Sequence, residues 1–128
     1  MRFIDSNVLL RYLTSDDASA SALSAQIIRR VSDGTEEACT TDVHVYEVTC
    51  VLASKSLYAL SHVDIRDRLR PLLLMKHLKI SNKRLCVAAL ELFAQHDELD
   101  FADALAVALM QEQGTGEIYS FDRHFDQV

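Results

Sequence analysis

The sequence is poor in residues that interrupt regular structure, with three glycines and one proline in 128 residues. That scarcity, with no repeat or low-complexity tract, excludes linkers and suits a mostly helical domain. Cysteine is also scarce and odd in number: Cys39, Cys50 and Cys86. Widely spaced and in apolar company, the three exclude a disulfide frame or a zinc site. They read as small buried hydrophobes in a reducing compartment. Long hydrophobic runs are missing as well. ALAVALM at 104–110 falls far short of the roughly 18 apolar residues that cross a bilayer. The N-terminus shows an acid at position 5 and no signal-peptide core. Together these absences predict a cytoplasmic protein.

Positive charge is nearly absent after residue 84. Residues 85–128 hold nine acids against Arg123, and residues 1–65 hold nine acids against five Lys/Arg. Between them, residues 66–84 carry seven Lys/Arg and one acid, Asp67, within a chain of net charge −6. An acidic protein is a poor general binder of nucleic acid. The basic block reads either as solvated helix faces or as a basic flank beside an acidic pocket. What is plentiful is ordinary: 49% hydrophobic and 25% charged residues predict one globular domain over residues 1–128 with a real core.

Short apolar runs alternate with amphipathic ones. Residues 2–5 read as a strand, and Val8, Leu9, Tyr12 and Leu13 as the apolar face of a helix. A helix is expected over 17–32, capped by Ser15 or Asp16 and ended by Gly34. EACTT at 37–41 predicts a short strand, followed by a helix over 42–57 whose β-branched residues leave it ambiguous. Ser61 and Asp64 have capping-box spacing and open a helix that Pro71 must kink or restart. Helices are expected over 83–96 and 101–113, and EIYSFD at 117–122 as a last strand. Strands alternating with helices predict an α/β layered domain around a parallel sheet.

Several acids stand where this architecture has no need of one. Asp5 and Asp122 each follow a short apolar strand, and in parallel α/β sheets sites form at the carboxyl ends of strands. Asp5 also reads as a helix cap and Asp122 as a solvated turn acid. Glu47 shares a helical stripe with Val43, Cys50, Val51 and Ser54. On a core-facing stripe a lone carboxylate needs a partner, a proton or a cation. Its plainer readings are a rim residue or an ion pair with Arg11 or Lys55. Asp100 reads as a cap. Asp103, one turn into the same helix, is favoured there by the helix dipole, yet its stripe is Ala106, Val107 and Met110. Converging carboxylates repel one another, and a divalent cation holds them ionised. Oxygen ligands with no His or Cys nearby select Mg²⁺ or Mn²⁺, a setting suited to phosphoryl chemistry.

In order and spacing, FIDSNVLLRYL, VYEV, DFADALAVAL and SFDRHF resemble the motifs of the PIN-domain ribonucleases. The chain length resembles that of their VapC-type toxins. The resemblance implies a three-layer α/β/α sandwich with a short central parallel sheet, and a Mg²⁺ site, with Mn²⁺ as substitute, that cuts RNA phosphodiesters. By position it implies Asp5, Glu47, Asp103 and Asp122 as metal-holding and catalytic acids. Ser6, Asn7 and Ser120 match polar residues that support them, with Ser6 where Thr is more usual. Asp126, one helical turn past Asp122, is an extra ligand or a surface acid. Arg11 and Arg123 read as phosphate contacts or as plain surface charges, and His124 as a surface residue. The resemblance also implies an antitoxin partner and a homodimer. Two rivals are a non-catalytic binding module with structural acids and a phospho-acceptor receiver domain. The receiver reading wants a late-strand lysine, and the last lysine is Lys83.

Overall fold

Each strand is only long enough to hand the chain to a helix. A computed structural model describes residues 1–121 and residue 125. In chain order the elements are β1 (Arg2–Phe3), α1 (Ser6–Leu13), α2 (Ala18–Ser32), β2 (Ala38–Thr40), α3 (Asp42–Ala53), α4 (His62–Leu73), β3 (Leu78–Ile80), α5 (Lys83–Gln95) and α6 (Phe101–Gln113). The strands pair in the order β1-β2-β3, all parallel, with Phe3 opposite Cys39 and Thr40 opposite Ile80. Consecutive parallel strands need helical crossovers, so the carboxyl ends of all three lie along one edge of the sheet. The result is the expected α/β sandwich with a short central parallel sheet.

The helices form where capping and periodicity agree. Asp17 caps α2 through its bond from the Ala20 N–H (3.0 Å). Ser15 and Asp16 do not cap it, because Asp16 is held by Thr14, Arg11 and Tyr58. Ser61 caps α4 through the Asp64 N–H. Pro71 neither ends nor restarts that helix, which runs on to Leu73. Pro71 sits in the last turn on the exposed side, where the Asp67 carbonyl that loses its i+4 donor belongs to an exposed residue. α3 forms despite its β-branched residues because Val45, Val48, Thr49 and Leu52 bury one face of it. It ends at Ala53 rather than 57, and the turn that follows brings the Tyr58 hydroxyl 2.6 Å from Asp16.

Three strand expectations change. β1 is shorter than 2–5, though the Ile4 N–H still bonds the Cys39 carbonyl (2.8 Å). β3 was not expected from sequence, since three residues alternating as buried Leu78, exposed Lys79 and buried Ile80 make a weak period-2 signal. Residues 117–121 form no strand, and Ile118, Tyr119 and Phe121 are exposed. An apolar run becomes a strand only against a partner ladder, and the described pairings are complete with β1-β2-β3.

Packing draws α1 against α2 and α3, and α5 against both α4 and α6, while α3 also touches α4 and α6. The core is filled by Ile28, Leu52, Ile65, Leu69, Leu72 and Leu90. Phe93 is stacked on His62 (3.7 Å between centroids) and edge-on to Phe101 (6.2 Å). Of the cysteines, Cys86 is buried, which pushes its thiol up to about 12. Cys39 is partly buried, and Cys50 is exposed, against expectation.

Candidate functional site

The carboxyl edge of the sheet collects polar residues from three strand ends. After β1 come Asp5 and Ser6, after β2 Thr41 and Asp42, after β3 Ser81 and Asn82. The Asp42 carboxylate accepts from Asn82 Nδ2 (3.0 Å), Ser81 Oγ (3.2 Å) and the Val43 N–H (2.9 Å). The Asn82 bond first, helped by the Ser81 bond, holds it below the usual carboxylate range although burial works the other way. Asp42 is thus an acid at a strand end whose lone pairs are spent tying β2 to β3.

Asp5 differs. It is the N-cap of α1, but its bond from the Asn7 N–H is long, 3.5 Å to Oδ2. The other oxygen, Oδ1, lies 3.5 Å from His44 Nε2, and the side chain keeps 56% of its surface open. Two loose contacts leave the carboxylate with lone pairs for a further ligand. The next residue, Ser6, is buried, and its hydroxyl donates to Glu47 Oε2 at 3.2 Å. The first turn of α1 and the middle of α3 therefore bring Asp5 and Glu47 to the same corner.

Glu47 reaches that corner by a different route from the one its sequence stripe suggests. Val43, Glu47 and Cys50 lie on the exposed face of α3, opposite the buried face. Apolar residues on both faces of α3 hid which one is the core, so the desolvation argument for Glu47 does not apply. No ion pair joins Glu47 to Arg11 or Lys55 among the described residues. Arg11 pairs instead with Asp16 (3.3 Å).

α6 contributes from the other side. Asp100 caps it, accepting from the Asp103 N–H at 2.8 Å, while Asp103 Oδ2 accepts from the Asp100 N–H at 3.3 Å, a complete capping box. Asp103 is half-buried, with Val107 buried one turn on. Tyr46, next to Glu47, senses these acids. The Cys50 thiol first, then the charges of Asp100 and Asp103, push its hydroxyl up to about 12. The start of α6 thus stands beside the same stretch of α3 that carries Glu47.

Asp122, Arg123, His124 and Asp126 lie outside the described residues. Ser120 is exposed. Among the described residues no group of three His, Cys, Asp or Glu side chains converges closely enough to hold a metal. In kind, the carboxylates and hydroxyls at the corner suit a hard cation, and the expected fourth acid belongs to the undescribed segment. His44 corrects the expectation that no histidine is near. Thr41, the cap of α3, was also missed, although Thr followed three residues later by His is legible as a cap.

The basic block resolves towards the plainer reading. Arg66 pairs with Asp67 and Glu91, Arg70 with Glu91, and Arg84 with Glu112. Lys83 Nζ caps the carbonyls of Met75 (2.5 Å) and Leu78 (2.7 Å), a role unlike that of a receiver-domain lysine. Among the described residues no helix is long and apolar enough to cross a membrane.

The architecture is an α/β sandwich with acids gathered at the carboxyl edge of its parallel sheet. The PIN domain model matches residues 2–128, and the chain belongs to the PIN domain family. PIN domains are generally nucleases, and so hydrolases. No curated protein and no solved structure matches the chain.

Proposed function

We propose that this chain is a Mg²⁺-dependent endoribonuclease and the toxin of a toxin–antitoxin pair, acting in the cytoplasm as one domain over residues 1–128. The observation that carries the reading is the acidic corner: a loosely capped Asp5, a Glu47 held by Ser6, and Asp103 in the first turn of α6, which packs against α3.

Asp5, Glu47, Asp103 and Asp122 would hold the metal, with Mn²⁺ as a substitute and Asp126 as an extra ligand. A cation held there would supply Lewis acidity for activating a water toward phosphorus and for offsetting the charge that develops. The chain's own residues supply orientation. Ser6 donates to Glu47 and fixes one of its oxygens, leaving the other for a ligand or a water. Asn7 supports Asp5 through its backbone N–H, and Ser120 would support Asp122. Arg11, which also pairs with Asp16, and Arg123 would contact the phosphate. The partners in this reading are an RNA substrate, a second copy of the chain and an antitoxin whose Arg or Lys pairs with the acids in place of the cation.

The test is cleavage of RNA by the purified chain with Mg²⁺ and with a chelator. Cleavage that requires the metal and is lost in Asp5→Asn supports the nuclease. Growth arrest on expression, relieved by Asp5→Asn and by co-expression of a neighbouring small reading frame, supports the toxin. Absent cleavage favours a binding module with structural acids, and metal-independent cleavage overturns the metal-dependent mechanism.

A further inference from the structure

The first turn of α3 sets a histidine against the Asp5 carboxylate. The His44 ring is fixed on three sides. Thr41 Oγ1 lies 2.6 Å from Nδ1, the Phe3 ring meets it edge-on at 4.9 Å between centroids, and Nε2 stands 3.5 Å from Asp5 Oδ1. The side chain keeps 24% of its surface exposed. A carboxylate attracts an N–H and repels a lone pair, so the contact with Asp5 favours the tautomer with its proton on Nε2. In that tautomer Nδ1 accepts a hydrogen bond donated by the Thr41 hydroxyl. The Thr41 oxygen in turn accepts the His44 backbone N–H at 3.2 Å. Polar contacts therefore run from the α3 backbone through Thr41 and His44 to Asp5.

We propose that His44, held by Thr41 and Phe3, is a positioning residue that aims the Asp5 carboxylate at its cation and is not itself a ligand. The proposal rests on the reading of Asp5 as a cation ligand. Among the described residues the only other anchor on Asp5 is the long bond from the Asn7 N–H, which restrains one oxygen weakly. The His44 contact at the second oxygen has the same length, 3.5 Å, so the two contacts together, one on each oxygen, restrict the carboxylate's orientation and leave lone pairs on both. The ring cannot ligate through Nε2 while that nitrogen carries its proton, and Nδ1 is engaged by Thr41. A ligand's outer partner of this kind sets its orientation, and its loss typically lowers metal affinity about 10–100-fold.

The experiment is Mn²⁺ binding to the full chain without RNA, followed by electron paramagnetic resonance, together with the melting temperature of the metal-free protein. His44→Leu is expected to weaken Mn²⁺ binding about tenfold with the metal-free melting temperature unmoved. His44→Gln recovers most of the loss, because its amide presents an N–H at similar reach. Asp5→Asn abolishes the site. Equal affinity in wild type and His44→Leu, with loss in Asp5→Asn, overturns the positioning role and leaves Asp5 as a ligand. Equal affinity in wild type and Asp5→Asn removes Asp5 from the metal site and this inference with it. A His44→Gln variant as weak as His44→Leu overturns the donor role. Should His44→Leu not fold, ¹⁵N shifts of the wild-type ring decide: the Nε2–H tautomer is expected, and the Nδ1–H tautomer overturns the proposal.

Discussion

Among the described residues three helices, α1, α2 and α6, are capped by an aspartate, and those at α1 and α6 do different work. At α6, Asp100 and Asp103 bond each other's backbone N–H at 2.8 and 3.3 Å, a closed box that satisfies the helix terminus. At α1, Asp5 reaches the Asn7 N–H only at 3.5 Å and its other oxygen faces His44. A bond at that length contributes little to capping. A residue of the same type, at the same place in a helix, is spent on local structure in one case and left available in the other. The distinction is one of geometry: what matters is how many lone pairs the local backbone has already claimed.

The sharpest way to break the contrast is to remove charge while keeping the cap. Asn caps a helix about as well as Asp, so Asp5→Asn is expected to leave thermal unfolding within about 0.5 kcal/mol of wild type. Its RNA cleavage is expected to fall by at least about a hundredfold, a common loss when one preorganised electrostatic group is removed. Asp103→Asn is expected to behave likewise, because its amide oxygen still accepts from the Asp100 N–H. Normal turnover in Asp5→Asn reduces Asp5 to a cap and erases the difference between the two helices.

A cation bound at the α1 corner adds stability by mass action. Mn²⁺ at about 100 times its dissociation constant stabilises by about 2.7 kcal/mol, a rise of several degrees in melting temperature for a domain of this size. The rise is expected to vanish in Asp5→Asn and to persist in Asp100→Ala. Asp100→Ala carries its cost elsewhere: about 0.5–2 kcal/mol in denaturant unfolding for the lost cap, with cleavage retained. Asp5→Ala should cost less than Asp100→Ala, because its cap bond is the weaker one. The reverse ranking would mean that the 3.5 Å bond is stronger than its length indicates.

How much of this was legible in the sequence depended on whether the signal was local. The cap at Asp100, the stop at Gly114 and the helix over 101–113 are set by neighbouring residues and read correctly. The face of α3 did not, because Val43, Cys50 and Val51 mimic the apolar stripe that Val45, Val48 and Leu52 actually form. Only the packing of α3 against α1 and α6 breaks that tie. The rule that picked Asp5, an acid just after a strand, applies equally to Asp42. What separates them is Ser81 and Asn82, thirty-nine and forty residues away in sequence. The contacts of His44 and Tyr46 with the site are likewise tertiary, and no spacing announces them.

The smallest expected effect tests the link between the two acids of the corner. Ser6 is buried at 7% exposure and donates to Glu47, so it orients a carboxylate that belongs to another helix. Ser6→Ala removes a bond to a charged group, which is worth about 1.5–3 kcal/mol when buried. Glu47 is exposed and regains water in exchange, so the stability change is expected at the low end of that range or below it. Cleavage should fall by a few fold rather than a hundredfold, since Glu47 remains present but is less well aimed. Ser6→Thr keeps the hydroxyl and is expected to restore both stability and turnover, provided the added methyl is accommodated at this buried position. A Ser6→Ala variant with full activity would show that Glu47 is oriented without Ser6. Loss as large as that of Asp5→Asn would instead place the Ser6 hydroxyl itself on the cation.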